Sequence, residues 1–321
     1  MKPTLLIHGG AGTVARDKFT PERQAQFLTA LRDIARAGQV KLLAGESAVD
    51  AVAHAVRLLE DDPLFNAGMG SVLTEAQTIE MDACIMDGRD KSAGAVTCVS
   101  RIKNPILLAK AVMQHSPHVC FAREGAEKFA EQQGIALIDS DALVVPERLA
   151  QLQAMRHADT IALDHDGEYA LSNRQANPID EKDKYGTVGA VALDQFGNLA
   201  AATSTGGMTN KALGRVGDTP IIGAGCYADA SVAVSCTGVG ETFMRGVIAH
   251  DIAARMRYGG EDLHSACQHA IDDTLANVNG EGGLIAIDKG GNFALPMNTS
   301  GMYRAQAVGD SDAVAKIFCD D

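Results

Sequence analysis

The sequence predicts an α+β fold in which two β-sheets pack face to face and helices cover the outer side of each sheet. Three observations support this prediction. A strand–turn–strand pattern of 20 residues occurs twice in the second half of the chain, apolar strand-like segments follow one another as hairpins, and several segments have helical periodicity. Hairpins make antiparallel sheets, and flat apolar strands need cover on both faces, which favours this sandwich over a parallel-sheet fold.

The first half of the chain supplies strands and covering helices. Residues 4–7 predict a strand that runs into a loop, HGGAG, at 8–12. Apolar residues then recur at three- and four-residue spacings, as in Phe27, Leu31 and Ile34, which predicts helical structure. The other segments of this half are predicted as strands at 73–88 and 93–99 and as helices at 22–59, 105–114 and 123–132.

A polar stretch separates the two halves of the chain. From about residue 155 the periodic patterns give way to polar residues with Asn-Pro and Asp-Gly turn signals. We expect residues 155–186 to form a flexible linker on the surface.

The second half is organised around the repeated hairpin. Residues 189–208 and 283–302 align without gaps and share nine identities, including an Asp-x-x-Gly-Asn turn. Each copy predicts two apolar strands joined by a tight turn. A further strand is predicted at 231–236, and helices at 241–257 and 262–277.

The composition is that of an ordinary globular chain and argues against several functional classes. With 321 residues, 46% of them hydrophobic and 21% charged, the chain can form a core without metal or disulfide support, and we treat 1–321 as one domain. The formal net charge of −13 and the lack of a basic cluster argue against nucleic-acid binding. The seven cysteines are scattered and form no CxxC pair, which indicates buried free thiols.

Membrane association is not expected either. No apolar run reaches the length of a membrane span, and the apolar part of the N-terminus is too short for a signal peptide. We therefore expect a cytoplasmic protein without membrane contact.

The junction between Gly186 and Thr187 is the first candidate for chemistry. A polar segment ends there and an apolar, β-branched run begins, so Thr187 stands at the start of a predicted buried strand. If the chain were cut before Thr187, the hydroxyl of this residue would be a nucleophile and its freed α-amine a general base. In an uncut chain Thr187 is an ordinary strand residue, and its position alone favours that interpretation.

Three glycine-flanked polar clusters follow. The hydroxyl of Thr205, in the segment STGG, suits a partner for a nucleophile or belongs to an ordinary Ser/Thr turn. Arg215 and Asp218, in GRVGD, either form a local salt bridge or bind the carboxylate and the ammonium of a free α-amino acid. Thr237 begins the turn TGVG, which suits an oxyanion hole, a plain strand-to-helix turn or, less well, a phosphate-binding loop.

The segment at 59–70 follows a predicted helix, so its carbonyl groups lack helical partners. Such carbonyls can surround a hard cation. The residues alone favour the alternative, a simple helix cap.

In combination these motifs resemble the plant-type L-asparaginases, or isoaspartyl peptidases, of the N-terminal nucleophile hydrolase superfamily, and especially their bacterial members. The resemblance covers almost the whole chain, and its motifs occur in order. They are HGGAG at 8–12, PLFNAGMGSV at 63–72, MDACIMDG at 81–88, NPILLAKAVMQHSPHV at 104–119, GTVGAVALDQFGNLAAATSTGGMTNK at 186–211, GRVGD at 214–218, GAGCYAD at 223–229 and SCTGVGE at 235–241.

The resemblance implies a four-layer αββα sandwich and a precursor that cleaves itself between Gly186 and Thr187. The products would be an α subunit, 1–186, and a β subunit, 187–321, and two such pairs would form the mature enzyme. The implied activity is hydrolysis of N-terminal isoaspartyl residues from peptides and of L-asparagine, a small-molecule or dipeptide substrate. No cofactor is implied for catalysis, whereas a structural sodium ion is.

The resemblance also assigns roles to individual residues. Thr187 would be the nucleophile, Thr205 its hydroxyl partner, and Thr237 with Gly238 the oxyanion hole. The substrate-binding residues would be Arg215 for the α-carboxylate, Asp218 for the α-ammonium, Gly238, Gly240, and Asn66 beside the site. The main-chain carbonyls of Leu59, Glu60, Asp62, Phe65, Ala67 and Met69 would surround the sodium ion.

Two other functions remain open at this point. A glycosylasparaginase would use similar chemistry on glycan-bearing asparagine, and an uncleaved anion-binding protein would use the glycine-rich loops without chemistry. The main departures from the family pattern are Val239, where close relatives often carry threonine, and the linker at 155–185, and Val239 leaves the finer substrate preference open.

Overall fold

Two β-sheets packed face to face, with helices outside each, make up the fold of the computed structural model. The structure describes residues 1–12, 14, 16, 19–157 and 186–321. Within these residues the layers follow the order α–β–β–α, so the predicted fold class is confirmed. In the described part of the chain, no helix has both the length and the apolar character needed to cross a membrane.

Twelve strands form the two sheets. They are β1 (Thr4–Gly12), β2 (Met81–Asp87), β3 (Ala93–Val99), β4 (Cys120–Ala122), β5 (Val188–Leu193), β6 (Leu199–Thr205), β7 (Cys226–Ala228), β8 (Val232–Gly238), β9 (Gly282–Asp288), β10 (Phe293–Ala294), β11 (Gly301–Val308) and β12 (Val314–Phe318). The large sheet has the strand order β12-β11-β1-β5-β6-β2-β3-β4 and the small sheet the order β10-β9-β8-β7. All neighbours run antiparallel except β3 and β4.

The helices form the two outer layers. They are α1 (Pro21–Leu43), α2 (Ala48–Asp61), α3 (Pro105–His115), α4 (Arg123–Gln132), α5 (Pro146–His157), α6 (Gly240–Gly246), α7 (Ile248–Ala254) and α8 (Leu263–His269). Helices α1 to α4 pack on the large sheet, and α7 and α8 pack on the small sheet. Short π-helical turns extend α7 and α8, at Arg255–Gly259 and Ala270–Leu275.

Two hydrophobic cores follow from the alternation of side chains along the strands. On β1, the buried Leu5 and Ile7 belong to the core under α1 to α4, whereas Leu6 between them belongs to the core between the sheets. The same alternation separates Ala190 from Val191 on β5. Because both faces of these strands are covered, their sequences are continuously apolar, as the two-sided cover predicted from the sequence requires.

The predicted loop at 8–12 is wrong, because these residues are the second half of β1. The pairing of β1 with β11 shifts its register between His8 and Gly10, which is a β-bulge, and Gly10 has a φ of 117°. Glycine is a poor strand former, so the HGGAG sequence hides the strand, yet glycine also permits the bulge.

Two predicted long helices are each divided. The segment 22–59 forms α1 and α2, since Gly45 has a positive φ of 87° and the Ser47 side chain caps a new helix by accepting from the Asp50 N–H. The segment 241–257 divides at Val247, which has a φ of 48°.

Other predicted boundaries also change. The strand predicted at 73–88 begins only at Met81, and β4, β7, α5, β11 and β12 were not predicted. Residues 155–157 of the predicted linker end α5 instead, and 158–185 lie outside the described residues.

Candidate active site

Thr187 lies next to Thr205 because β5 and β6 are antiparallel neighbours. Thr187 immediately precedes β5 and is 9% exposed, and Val188 pairs with Ser204 at the end of β6. The Thr187 hydroxyl donates to Thr205 Oγ1 over 3.1 Å, and the Gly207 N–H donates to the same oxygen over 2.9 Å. The predicted nucleophile therefore has the predicted hydroxyl partner, which fixes its rotamer.

His8 holds the main chain of Thr187 through a buried polar chain. His8 Nδ1 lies 3.1 Å from the Thr187 carbonyl oxygen, and Nε2 lies 2.9 Å from Ser235 Oγ. Thr203 Oγ1 lies 2.7 Å from the same Ser235 oxygen. Burial lowers the pKa of His8 to about 3, although the hydrogen bond to Thr187 acts to raise it.

The Thr187 carbonyl fixes the donors and acceptors in this series of hydrogen bonds. A carbonyl oxygen can only accept, so the neutral His8 ring carries its proton on Nδ1 and donates it to the Thr187 carbonyl. Nε2 then accepts a hydrogen bond from the Ser235 hydroxyl. His8 is therefore a positioning residue that ties the start of β5 to the small sheet.

Thr237 and Gly238, at the end of β8, have the geometry of an oxyanion hole. The Ala11 N–H donates to Thr237 Oγ1 over 3.1 Å, which leaves the hydroxyl proton of Thr237 free to donate. Gly238 has a φ of 153°, and a Cβ there would collide with the Glu281 carbonyl and the Phe243 ring. Only glycine fits at this position, next to a hydroxyl donor.

Arg215 and Asp218 do not form the local salt bridge that was one alternative. Arg215 instead donates from Nε and Nη2 to the two carboxylate oxygens of Glu241, over 2.9 and 2.7 Å. Although burial acts to lower the pKa of Arg215, the hydrogen bonds to Glu241 raise it.

Asp218 is buried with one oxygen unused. It is 3% exposed, and Oδ2 has no hydrogen-bond partner among the described residues. Burial raises the pKa of its carboxyl to about 7, against the opposing effect of Arg215. Oδ2 lies toward Gly225, where a Cβ would be 2.7 Å away, so a ligand cation that enters the space beside Gly240 would meet the other oxygen, Oδ1.

Arg215 and Asp218 lie on either side of an open space next to Gly240. A Cβ on Gly240 would lie 2.9 Å from Arg215 Nη2 and 3.0 Å from Asp218 Oδ1. Because residue 240 is glycine, a small group can enter between a guanidinium and a carboxylate. This arrangement suits the α-carbon of a zwitterionic amino acid, with its carboxylate toward Arg215 and its ammonium toward Asp218.

One cleft brings the predicted residues together. Of the predicted site, it is lined by Gly186, Thr187, Thr205, Arg215, Asp218, Thr237, Gly238 and Gly240. Gly207, Met208, Gly217 and Thr219 also line it and were not predicted. The Thr219 hydroxyl has no partner in the described part of the chain, and its only sequence signal was its place beside Asp218.

Asn66 lies behind the cleft and not among its lining residues. Its side chain donates to the Gly207 carbonyl over 2.8 Å and accepts from the Val72 N–H over 3.0 Å. Its main-chain carbonyl accepts from the Gly206 N–H. Asn66 therefore holds the turn after Thr205 and contacts the site through that turn.

In the loop after α2, two main-chain carbonyl groups lie against glycines. A Cβ on Gly68 would collide with the Glu60 carbonyl, and one on Gly70 with the Phe65 carbonyl. No cluster of three or more His, Cys, Asp or Glu side chains suited to a metal occurs among the described residues. Of the six carbonyls predicted to surround a cation, those of Asp62, Phe65 and Ala67 each accept a main-chain N–H within the loop, which leaves a further lone pair on each oxygen for a cation.

The Glu60 side chain has a separate role. Its Oε1 accepts from the Ser204 hydroxyl over 2.7 Å and from the Ile106 N–H over 2.9 Å, and burial raises the pKa of the carboxyl to about 8. Glu60 thereby joins this loop to the residue before Thr205. The sequence predicts a role only for the main-chain carbonyl of Glu60, as a cation ligand.

The fold and the site together define a class of protein. A threonine at the head of a central strand in an αββα sandwich, facing hydroxyl and amide donors, characterises the N-terminal nucleophile hydrolases. The chain belongs to the asparaginase family, whose model matches residues 1–317.

Known proteins similar to this chain have consistent names. It is 54% identical to an isoaspartyl peptidase of Salmonella typhimurium over 95% of both chains, and 53% identical to an isoaspartyl peptidase of Escherichia coli over 95% of this chain and 92% of that one. It is also 40% identical to an isoaspartyl peptidase/L-asparaginase of Danio rerio, over 96% of this chain and 93% of that one.

Proposed function

We propose that this chain is a threonine hydrolase that removes N-terminal isoaspartyl residues from peptides and converts L-asparagine to L-aspartate and ammonia. The observation that carries the proposal is the cleft itself. It places the Thr187 hydroxyl, held by Thr205, in the same small space as the Arg215 guanidinium and the Asp218 carboxylate, two groups suited to an amino-acid head group. The names of the similar proteins support this choice of substrates.

The nucleophile becomes active by cleavage between Gly186 and Thr187. In the intact chain the nitrogen of Thr187 is an amide and is not basic. Attack of the Thr187 hydroxyl on the Gly186 carbonyl, followed by hydrolysis of the resulting ester, gives an α subunit of 1–186 and a β subunit of 187–321. The new α-amine then serves as the general base for its own hydroxyl.

Catalysis proceeds through a covalent ester. The Thr187 hydroxyl attacks the side-chain carbonyl of asparagine, or the β-carbonyl of an isoaspartyl peptide, and its α-amine takes the proton and passes it to the leaving amine. The Thr237 hydroxyl and the Gly238 N–H stabilise the oxyanion, a contribution worth roughly 10²–10³ in rate per donor. Water then hydrolyses the β-aspartyl ester. No cofactor is needed for these steps.

Substrate selection follows from the charged pair. Arg215 binds the α-carboxylate and Asp218 the α-ammonium, so both groups must be free. Asparagine with a blocked α-amine or α-carboxylate should be a poor substrate.

Parallel kinetics test the proposal. Purified protein should hydrolyse L-asparagine and a β-aspartyl dipeptide such as β-Asp-Leu, whereas Thr187→Ala should remain one chain on a denaturing gel and be inactive. A glycosylated asparagine as the best substrate would favour a glycosylasparaginase. One persistent band with no hydrolysis would contradict the proposal altogether.

We also propose that the loop carbonyls of residues 59–69 hold a structural sodium ion. The assignment is supported by the Glu60 and Phe65 carbonyls, which lie against Gly68 and Gly70. Replacing sodium by choline in the buffer should lower the melting temperature of the protein. Gly68→Ala, which would push the Glu60 carbonyl away, should remove that difference.

The mature enzyme is proposed to be a dimer of α–β pairs in the cytoplasm. An exposed aliphatic patch formed by Ile221, Ile222 and Val247 supports self-association, and the seven free cysteines suit a reducing compartment. Light scattering should give the mass of two full chains, and cell fractionation should recover the enzyme with cytoplasmic markers. A single α–β pair or a secreted enzyme would contradict these assignments.

A further inference from the structure

We propose that Glu241 is a positioning residue for substrate binding, which orients the Arg215 guanidinium so that one edge of it stays open to the cleft. The inference rests on the proposed function and concerns the same site. It assigns a role to a residue that neither touches the reacting atoms nor lines the cleft.

The contact between the two side chains is the side-on form of a bidentate pair. Arg215 Nε and Nη2 donate to separate oxygens of Glu241, over 2.9 and 2.7 Å. A guanidinium has five N–H groups in one plane. Glu241 takes one from Nε and one from Nη2, so the second N–H of Nη2 and one N–H of Nη1 remain along the adjacent edge of the same plane. That edge is the end-on site for a second carboxylate.

Two glycines keep this part of the guanidinium uncovered. A Cβ on Gly217 would lie 3.0 Å from Nη1 and 3.3 Å from both Cζ and Nη2, and one on Gly240 would lie 2.9 Å from Nη2. Both glycines line the cleft. The free edge of Arg215 therefore faces the space next to Asp218, where an amino-acid head group fits.

Glu241 is suited to this role by its place in the fold. It follows Gly240 at the start of α6, so its main chain is fixed by the turn that also carries Thr237 and Gly238. Its side chain is 49% exposed, whereas that of Arg215 is 16% exposed. The carboxylate thus approaches the guanidinium from the solvent side and leaves the cleft side to the substrate.

Loss of the pair should weaken substrate binding without slowing chemistry. In Glu241→Ala the Arg215 guanidinium is free to rotate, so its charge-assisted hydrogen bonds to the substrate carboxylate are weakened. We expect KM for L-asparagine to rise by about 10- to 100-fold while kcat changes by less than about threefold. Glu241→Gln keeps one acceptor oxygen, so its KM should lie between that of the parent enzyme and that of Glu241→Ala.

The control variants separate positioning from general damage. Glu261→Ala removes another glutamate paired with an arginine, Arg255, on the same outer layer and should leave KM unchanged. In an Arg215→Lys background, where there is no planar fork to orient, Glu241→Ala should change kcat/KM by less than about threefold. Self-cleavage should be complete in every variant, since it requires no substrate carboxylate.

Calorimetric binding of L-aspartate provides a readout that does not need turnover. Glu241→Ala should raise the dissociation constant by the same factor as KM. An unchanged or lower KM and dissociation constant in Glu241→Ala would overturn the inference, as would an equal effect in the Arg215→Lys background. If the parent protein binds aspartate but hydrolyses nothing, the proposed function fails, and the aspartate measurements still decide the role of Glu241. If the parent binds no aspartate, both are overturned.

Discussion

Replacing Asp218 by asparagine should stabilise the folded chain while it weakens substrate binding. The carboxyl is buried, Oδ2 has no partner in the part of the chain described by the structure, and burial raises its pKa to about 7. An unperturbed aspartate has a pKa of about 3.9. The folded state therefore resists ionisation of this group more than the unfolded state does.

The size of the effect follows from this difference in pKa. At about 1.4 kcal/mol per pH unit, it corresponds to about 4 kcal/mol of stability that the folded chain loses as the pH rises from about 4 to about 7. Below about pH 4 the carboxyl is neutral in both states and nothing is lost. Asparagine avoids the loss but leaves a buried amide without a partner, which costs about 1–3 kcal/mol.

The net gain expected for Asp218→Asn at pH 8 is thus about 1–3 kcal/mol, or roughly 2–4 °C in melting temperature for a chain of this length. Thermal melting should be measured from pH 4 to pH 8 in a Thr187→Ala background, which keeps the chain uncut. At the acid end, where the carboxyl is neutral in both states, only the cost of the amide remains, and the variant should be less stable than its parent by about 1–3 kcal/mol. In the cleaved enzyme the same substitution should raise KM for asparagine by about 10- to 100-fold, because a charge-assisted hydrogen bond to the ammonium is lost.

Asp229→Asn is the matched control. Although burial acts to raise the pKa of Asp229, hydrogen bonds from the Ser231 hydroxyl and main chain lower it overall. Its charge therefore stabilises the fold at neutral pH, and Asp229→Asn should lower the melting temperature there, with an effect that shrinks as the pH falls. If Asp218→Asn melted below its parent at pH 8, the buried carboxylate would have a partner and the ammonium site would be wrongly placed.

Three further predictions concern the remaining parts of the site. An asparagine at position 8 cannot form both hydrogen bonds of His8, so His8→Asn should slow self-cleavage. The matured variant should keep the ascending limb of the pH–rate profile. Loss of that limb would identify His8 as the general base. Because Asp218 also titrates in the free enzyme, kcat/KM should rise through two ionisations, whereas kcat should rise through one, the Thr187 α-amine, with a pKa below about 7.7–8.0. Gly240→Ala should fill the space between the two charges and lower kcat/KM roughly 100-fold with normal self-cleavage; an unchanged KM would contradict the zwitterion geometry.

The layers of the fold were predictable from the sequence because the strands are apolar on both faces and the hairpins are local. The sequence predicts the hairpin of β5 and β6, and this pairing places Thr187 beside Thr205. Strand boundaries were harder to predict where a strand contains glycines, which are also typical of loops. The HGGAG segment is part of β1, but its bulge and its pairing with β11 depend on long-range contacts that local propensity does not contain.

The candidate site was predictable to the extent that its residues lie in short motifs. Residues that act through a partner distant in sequence were missed. Ser235 meets His8 and Thr203 only when the two sheets pack, and Glu241 contacts Arg215 across a separation of 26 residues. No periodicity or spacing reveals such contacts, because they depend on tertiary packing.

The most direct test of the account is intact-mass spectrometry of the purified protein under denaturing conditions, combined with assays of L-asparagine hydrolysis on the same samples over time. The account predicts that one mass gives way to two, that the second chain begins at Thr187, and that activity rises in proportion to the cleaved fraction. Full activity in an uncut chain, or a new N-terminus at any other residue, would contradict the central claim that the Thr187 hydroxyl is activated by its own α-amine.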